Sequence, residues 1–306
     1  VGIMAGYSWE ERVNNDGFGL TVHNFFDDKL KWNQLSYAGT IDGMKGVESG
    51  TKETIRNISF YGRLSYSYDS RYMLQATIRR DGSSVFGDGH QWGYFPSISG
   101  AWNITEEKFM EGLKESLSLS NLKLRIGYGV SGNALGFGAY SAVATYGANG
   151  TIISIGGKDY PTLVSTKLAN PDLKWEKTGM LNIGLDYAFF NGRLNGSIEY
   201  YNKVTKDLIW NYPVTSFLYP FSTISANVGE ITNRGIEISI NAIPVQNKNF
   251  TWTTTLNLSH NKNKVNKLTN EKFSTASFTQ GDPMVAGVSA EGYTQQIMEG
   301  EPLGTF

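Results

Sequence analysis

The sequence of 306 residues carries a formal net charge of −1, so its charge does not suggest a nucleic-acid partner, which would be recognised by basic patches. It contains no cysteine, which rules out a disulfide framework and a thiolate metal site within it. The three histidines, His23, His90 and His260, lie far apart and lack metal-ligand spacing, so we predict neither a metal site nor a cofactor.

The composition favours β-structure. Glycine (35 residues) and aromatic residues (13%) are abundant, whereas charged residues reach only 18%, a balance typical of pleated surfaces. No stretch of the sequence approaches the ~20 apolar residues that a membrane-spanning helix needs. Outer-membrane barrels cross the bilayer with alternating strands of ~10 residues and leave a weak hydropathy signal, so a membrane location stays open.

Apolar and polar residues alternate with a period of two along most of the chain, which predicts about nine β-strands. Near the start, for example, Ile58, Phe60 and Leu64 alternate with Ser59 and Arg63. A slip of one residue would exchange the two faces, so the pairing register is strongly specified. The alternation is present, in chain order, in Arg56–Asp69, Arg71–Arg80, Asn121–Ser131, Trp175–Phe189, Arg193–Tyr201, Gly235–Ala242 and Phe250–His260.

The predicted connections alternate between short turns and long loops, as at the two rims of an outer-membrane barrel. The short connection Phe190–Arg193 contains an Asn-Gly pair, which predicts a hairpin turn. On the same rim, Thr105–Ser120 is predicted to contain a short amphipathic helix. The other short connections are Tyr68–Arg71 and Gln246–Asn249, and the long ones are Arg80–Trp92, Gly132–Lys174, Val204–Asn227 and the chain after Asn261.

Alternation alone does not show which face is buried, because a soluble sandwich hides its apolar face whereas a membrane barrel turns it to lipid. The polar face favours the membrane, since it mixes few charges with many Ser, Thr, Asn and Gly residues, and a soluble surface would be richer in Lys and Glu. Aromatic residues at strand ends, such as Tyr68, Tyr72 and Trp102, suit the girdles of a membrane barrel. A secreted glycan-binding β-sandwich is the soluble alternative.

No catalytic motif occurs in the sequence. It lacks a G-x-S-x-G elbow, an H-E-x-x-H pair and a Walker lysine, and no pair of inward carboxylates for a glycoside hydrolase is evident. The glycine-rich stretch GYGVSGNALGFG follows a strand, but no helix follows to supply a dipole, so a flexible loop is favoured over a phosphate site. We therefore predict that the chain is not an enzyme.

Several long strings resemble the SusC/RagA family of TonB-dependent transporters of the Bacteroidetes. They occur in order over most of the chain and end in EGYTQQIMEGEPLGTF. The strings are ISFYGRLSYSYDSRYMLQATIRRDGSSVFG, WGYFPSISGAWNITEEKFM, LSNLKLRIGYGVSGN, LANPDLKWEKTGMLNIGLDYAFFNGRLNGSIEYYNKVTKDLI and ANVGEITNRGIEISI.

The resemblance implies an all-β fold, an antiparallel transmembrane barrel of about 22 strands closed by an N-terminal plug and located in the cell outer membrane. Residues 1–306 would form part of that barrel, with the plug, the TonB box, the early strands and the final strands lying outside them. Implied partners are TonB, a SusD-like surface lipoprotein, outer-membrane lipid, and an oligosaccharide or peptide substrate. A passive porin-like channel or an adhesive barrel is the alternative within the membrane class.

The hypothesis that follows is active import of an oligomeric nutrient, a glycan or a peptide, without covalent chemistry. The segment Arg79–Gly93 offers guanidinium donors, carboxylates and an indole for stacking on a sugar or peptide. We therefore predict substrate contact by Arg79, Arg80, Asp81 and Trp92. The polar-face residues Arg63, Gln75 and Arg125 are predicted to contact the lumen or the plug.

Overall fold

A computed structural model describes residues 1–14, 18–21, 46–49, 53–134, 138–214, 221, 223–270, 272, 275, 277–280 and 295–305. Strands dominate these residues, and none of their helices is long and apolar enough to cross a membrane. The elements are β1 (Gly2–Asn14), β2 (Phe18–Thr21), β3 (Gly46–Ser49), β4 (Glu53–Tyr68), β5 (Tyr72–Ser83), β6 (Trp92–Asn103), α1 (Glu111–Leu117), β7 (Leu119–Asn133), β8 (Thr145–Ile155), β9 (Lys158–Lys167), β10 (Glu176–Phe189), β11 (Leu194–Pro213), β12 (Thr223–Gln246), β13 (Thr251–Lys267), β14 (Ser277–Gln280) and β15 (Gln295–Met298).

Nine strands form one antiparallel sheet in the order β1-β4-β5-β6-β7-β10-β11-β12-β13. This confirms the number of strands that the alternation predicts. Each strand pairs with the strands next to it in this order, and the remaining described strands form two-stranded hairpins, β2-β3, β8-β9 and β14-β15. The sheet is therefore a meander, the arrangement from which up-and-down barrels are built.

Cross-strand pairing extends the alternation of each strand into two continuous faces, which we call the apolar face and the polar face. One row of the apolar face crosses five strands and consists of Leu124, Leu185, Ile198, Ile238 and Leu258. No described strand covers this face, since Phe60 is 46% exposed and Leu124 is 36% exposed. A soluble sandwich would bury both side chains, so their exposure argues against the sandwich alternative.

The connections separate into a short-turn rim and a long-loop rim. The short-turn rim holds the links β4-β5, β6-β7, β10-β11 and β12-β13. The predicted helix in Thr105–Ser120 is confirmed as α1, preceded by two turns of 3₁₀ helix. The hairpin turn predicted at Phe190–Arg193 is confirmed, with Phe190 and Asn191 at its centre in positive φ and Gly192 following with φ 82°.

Two long loops differ from their predicted extents because strands extend further than the alternation shows. β5 continues to Ser83, so the connection predicted as Arg80–Trp92 is confined to 84–91. The predicted loop Gly132–Lys174 contains the hairpin β8-β9. Strand pairing near this rim continues through glycine, serine and aspartate, which local propensity assigns to turns.

A small apolar core holds the long-loop rim together. Leu173 is fully buried within it, and the Trp175 ring packs against Phe86 and Phe95 at centroid distances of 4.8 and 5.3 Å. The Trp175 indole also donates to the carbonyl of Gln91 at 2.9 Å. These contacts tie the 84–91 loop to the segment that leads into β10.

At the short-turn rim, Glu107 fixes the β6-β7 connection. Its carboxylate accepts hydrogen bonds from the Tyr72 hydroxyl and from the Trp102 indole, and the Arg71 guanidinium lies 3.6 Å away. The hydrogen bonds from Tyr72 and Trp102 lower the pKa of Glu107 below its ordinary value, against the opposing effect of desolvation. The charged form is thus the one that the folded state prefers.

The lowered pKa of Glu107 predicts a pH-dependent contribution to stability. That contribution is complete above the ordinary glutamate pKa of about 4.3 and is lost as pH falls through the lower pKa of the folded state. We expect the urea midpoint of the wild type to fall further between neutral and acid pH than that of Glu107→Gln. Parallel midpoints across the whole range would contradict the assignment.

A matched pair of lysine substitutions tests the two faces. If the apolar face meets hydrocarbon, Ile198→Lys lowers the free energy of unfolding by roughly 2–4 kcal/mol. The neighbouring change Ser197→Lys lies on the polar face opposite Asp186 and should cost less than about 1 kcal/mol. Urea titration of the complete gene product in lipid vesicles measures both values, and equal costs would show that the faces are assigned wrongly.

Candidate functional site: the polar face

The register aligns hydrogen-bonding side chains across the polar face. Ser65 on β4 lies opposite Gln75 on β5, which in turn lies opposite Ser99 on β6. A depression of about 570 Å³ covers these three residues and extends to Arg125 and Asn182. It therefore offers amide, hydroxyl and guanidinium groups to whatever occupies the space beside the sheet.

Three charged side chains form an ion cluster beside this depression and join three strands. The Arg125 guanidinium on β7 donates to both carboxylate oxygens of Asp186 on β10, at 2.8 and 2.7 Å. It also donates to Glu199 on β11 at 2.7 Å. The three side chains are about one-third exposed, so water screens the charges, and the cluster orients its groups more than it stabilises the fold.

Gly184 makes this ion cluster possible. Arg125 lies opposite Gly184 on one side of β10, and Glu199 lies opposite it on the other. A Cβ at position 184 would stand 2.9 Å from Nη2 of Arg125. The missing side chain leaves a path over β10 along which the guanidinium reaches both carboxylates.

The cluster was only partly foreseen from sequence. Arg125 is a predicted site residue, whereas the alternation places Asp186 and Glu199 on the polar face without predicting a contact for them. The short Phe190–Arg193 turn fixes the register between β10 and β11, and in that register Glu199 lies opposite Gly184. The hairpin register is therefore the signal in the sequence that could have identified Glu199.

The four residues predicted to contact substrate are not brought together. Arg79 and Asp81 lie on the polar face, where the Arg79 guanidinium donates to both oxygens of Asp81 at 2.7 and 2.8 Å and to the Ser59 hydroxyl at 3.0 Å. Arg79 is half exposed and Asp81 is largely covered. Their contact with substrate stays a prediction, and any ligand would meet a guanidinium already paired with a neighbour.

Arg80 and Trp92 lie on the opposite, apolar face, which corrects their grouping with Arg79 and Asp81. The Arg80 guanidinium stacks on the Trp92 ring at 4.3 Å and near the Tyr94 ring at 5.4 Å. Trp92 lies over Gly82, where a Cβ would stand 2.9 Å from the indole. This arrangement is a cation–π stack, which accounts for a charge on an otherwise apolar surface.

The three residues predicted to contact the lumen or the plug all lie on the polar face. Gln75 and Arg125 line the depression. Arg63 is exposed between Met4 on β1 and Thr77 on β5. The structure therefore places all three where the alternation predicts, and their contact partners stay a prediction.

The role of Gly184 can be tested with a single methyl group. Gly184→Ala displaces the Arg125 guanidinium from its carboxylates, and because water screens this cluster we expect a loss of at most about 1 kcal/mol in unfolding free energy. Adding Asp186→Asn and Glu199→Gln should recover most of that loss. Gly127→Ala is the control, because a Cβ there meets Ser99 at an ordinary 3.4 Å. Chemical unfolding in detergent measures each variant, and equal losses at 184 and 127 would contradict the role of the cluster.

Comparison with known proteins identifies the family. The profile described as "TonB dependent receptor-like, beta-barrel" matches residues 4–294. TonB-dependent receptor P39 of Formosa agariphila is 40% identical over 259 residues, which are 84% of this chain and 22% of that protein. TonB-dependent receptor SusC of Bacteroides thetaiotaomicron is 37% identical over 238 residues, 78% of this chain and 23% of that protein.

Solved structures agree with these relatives. The RagAB peptide transporter is 26% identical and superposes with a TM-score of 0.78 over 98% of this chain and 30% of its own. The curated relatives are longer, and the chain spans 22% of P39 and 29% of TonB-dependent receptor P3 of Formosa agariphila. The chain belongs to the TonB-dependent receptor-like β-barrel family, as a SusC/RagA-type segment of an antiparallel outer-membrane barrel wall.

Proposed function

We propose that the complete gene product actively imports an oligomeric nutrient across the outer membrane, with energy relayed by TonB. One observation carries this proposal, namely the separation of the nine-stranded sheet into an exposed apolar face and a polar face with an ordered ion cluster. Such a sheet separates hydrocarbon from water. Import would proceed by binding and conformational change, without covalent chemistry.

An oligopeptide is the favoured cargo class, and a glycan is the second. RagAB is a peptide transporter, and its likeness to this chain supports a cargo of that kind. The polar face presents donors and acceptors at Gln75, Ser99 and Asn182 next to the Arg125 cluster, a mixture that suits peptide amides. The same groups would also bind sugar hydroxyls, so cargo must be assigned by uptake.

A SusD-like surface lipoprotein is the proposed partner, by analogy with the SusC/RagA type. It would bind at the long-loop rim, where the loops are held by the core around Trp175. The proposed contacts with the plug or the cargo involve Arg63, Gln75 and Arg125, with Arg79 and Asp81 nearer the long-loop rim.

Whole-cell uptake separates the importer from the alternative functions. Cells that produce the gene product should accumulate a fluorescent oligopeptide pool, and accumulation should fall to background when TonB is deleted or a protonophore is added. A passive porin-like channel would keep taking up the peptides under both treatments, and an adhesin would bind them at the surface without accumulation. Either result would overturn the proposal. Fluorescent oligosaccharides in the same assay decide the cargo class.

A further inference from the structure

Basic side chains accumulate on the apolar face near the long-loop rim of β10 to β13. They are Lys177, Lys206, Arg234, Lys262 and Lys264. All five are exposed, and each lies an even number of positions from the apolar-face residues of its own strand. Lys177 lies directly opposite Lys206, and Arg234 lies directly opposite Lys262. Lys264 follows Lys262 on the same face of β13, opposite Thr232. The two like-charged pairs are unusual because like charges facing each other across strands are destabilising.

Acidic groups offset these charges only in part. Within the described part of the chain, the acidic partner of the first pair is Glu230, whose carboxylate lies 3.8 Å from Nζ of Lys206 and also accepts a hydrogen bond from Asn266. The Lys206 side chain is nonetheless 64% exposed. Arg234 and Lys262 have no ion-pair partner among the described residues. The surface is therefore ready to accept anionic groups from outside the chain.

A groove of about 640 Å³ begins at the first lysine pair and continues down the apolar face. Tyr128, Val130, Leu181 and Val204 form its apolar wall. The Tyr128 side chain lies over Gly179, where a Cβ would come within 2.9 Å of the Tyr128 hydroxyl. The groove is thus lined by two lysines and Glu230 at its upper end, and mainly by apolar side chains, with Asn202, below.

The lysine pair lies at the height of the upper membrane interface. On β10 the apolar face runs from Phe189 at the short-turn rim to Lys177 near the long-loop rim. Twelve residue steps, at about 3.4 Å per residue and a strand tilt of about 40°, correspond to a rise of about 30 Å. The apolar band of an outer-membrane barrel is about 25 Å tall, so Lys177 and Lys206 stand just above it.

We propose that this groove is a binding site for a phosphate-bearing lipid of the outer leaflet. The headgroup phosphate would lie between Lys177 and Lys206 and relieve their mutual repulsion, while an acyl chain follows the wall formed by Leu181 and Val204. The apolar wall below the lysines lies at the height of the hydrocarbon, which favours a membrane lipid over a soluble partner. Charge complementarity then selects an anionic headgroup, and Arg234 with Lys262 offers a second point of contact.

Native mass spectrometry of the complete gene product in detergent tests this site, with phosphatidic acid as the probe and phosphatidylcholine as the neutral reference. We expect the wild type to retain phosphatidic acid selectively. Because each basic side chain near an anionic lipid surface contributes to binding, the double variant Lys177→Gln, Lys206→Gln should bind it at least about tenfold more weakly. In lipid-free detergent this variant should be at least as stable as the wild type, since a repulsion is removed.

A matched double variant removes the same charge from the other face. The double variant Lys123→Gln, Lys203→Gln changes side chains on the polar face of β7 and β11. This variant should retain phosphatidic acid like the wild type. The proposed site would be overturned if the Lys177/Lys206 variant retained as much phosphatidic acid as the wild type. It would also be overturned if the polar-face control lost as much as the Lys177/Lys206 variant. Displacement of phosphatidic acid by equimolar inorganic phosphate would show a free-anion site and refute the lipid as occupant.

Discussion

Lateral hydrogen bonding between strands is the constraint on which the structure depends. In hydrocarbon no water is available to a backbone N–H or C=O group, so each strand must pair along its length with its neighbours. Neighbouring strands pair from β1 with β4 through to β12 with β13, with local register shifts in the pairs β7-β10, β11-β12 and β12-β13. Once the register is fixed, every side chain has an assigned face, and the contents of the two faces follow from the order of residues along each strand.

Much of the fold can be predicted from sequence because a paired strand with two different faces shows a period-two alternation of apolar and polar residues. Alternation within each strand assigns Phe60, Leu124 and Ile238 to the apolar side of its own strand, and no long-range information is needed for that step. The number of strands follows for the same reason. Short turns are also local, yet the turn at Phe190 shows the limit, since the Asn-Gly pair indicates a tight turn without fixing which residues form its centre.

Cross-strand neighbours could not be read in the same way. Arg125 and Glu199 meet although 74 positions separate them, and their meeting depends on the β7-β10 register, which is set beyond a connection of more than forty residues. Arg80 and Trp92 were grouped with Arg79 and Asp81 for a different reason. Their segment has a turn-like composition, and only strand pairing that persists to Ser83 shows that both side chains face outward with Tyr94.

The two glycines of β10 show how one strand serves both faces. Gly184 omits a side chain on the polar face, so Arg125 crosses to Glu199, and Gly179 omits one on the apolar face, so the Tyr128 side chain lies over the strand as part of the groove wall. Neighbouring positions of a strand point to opposite sides. A change on the apolar face therefore leaves the polar face nearly untouched, so the contacts of the two faces can be altered independently in the same strand.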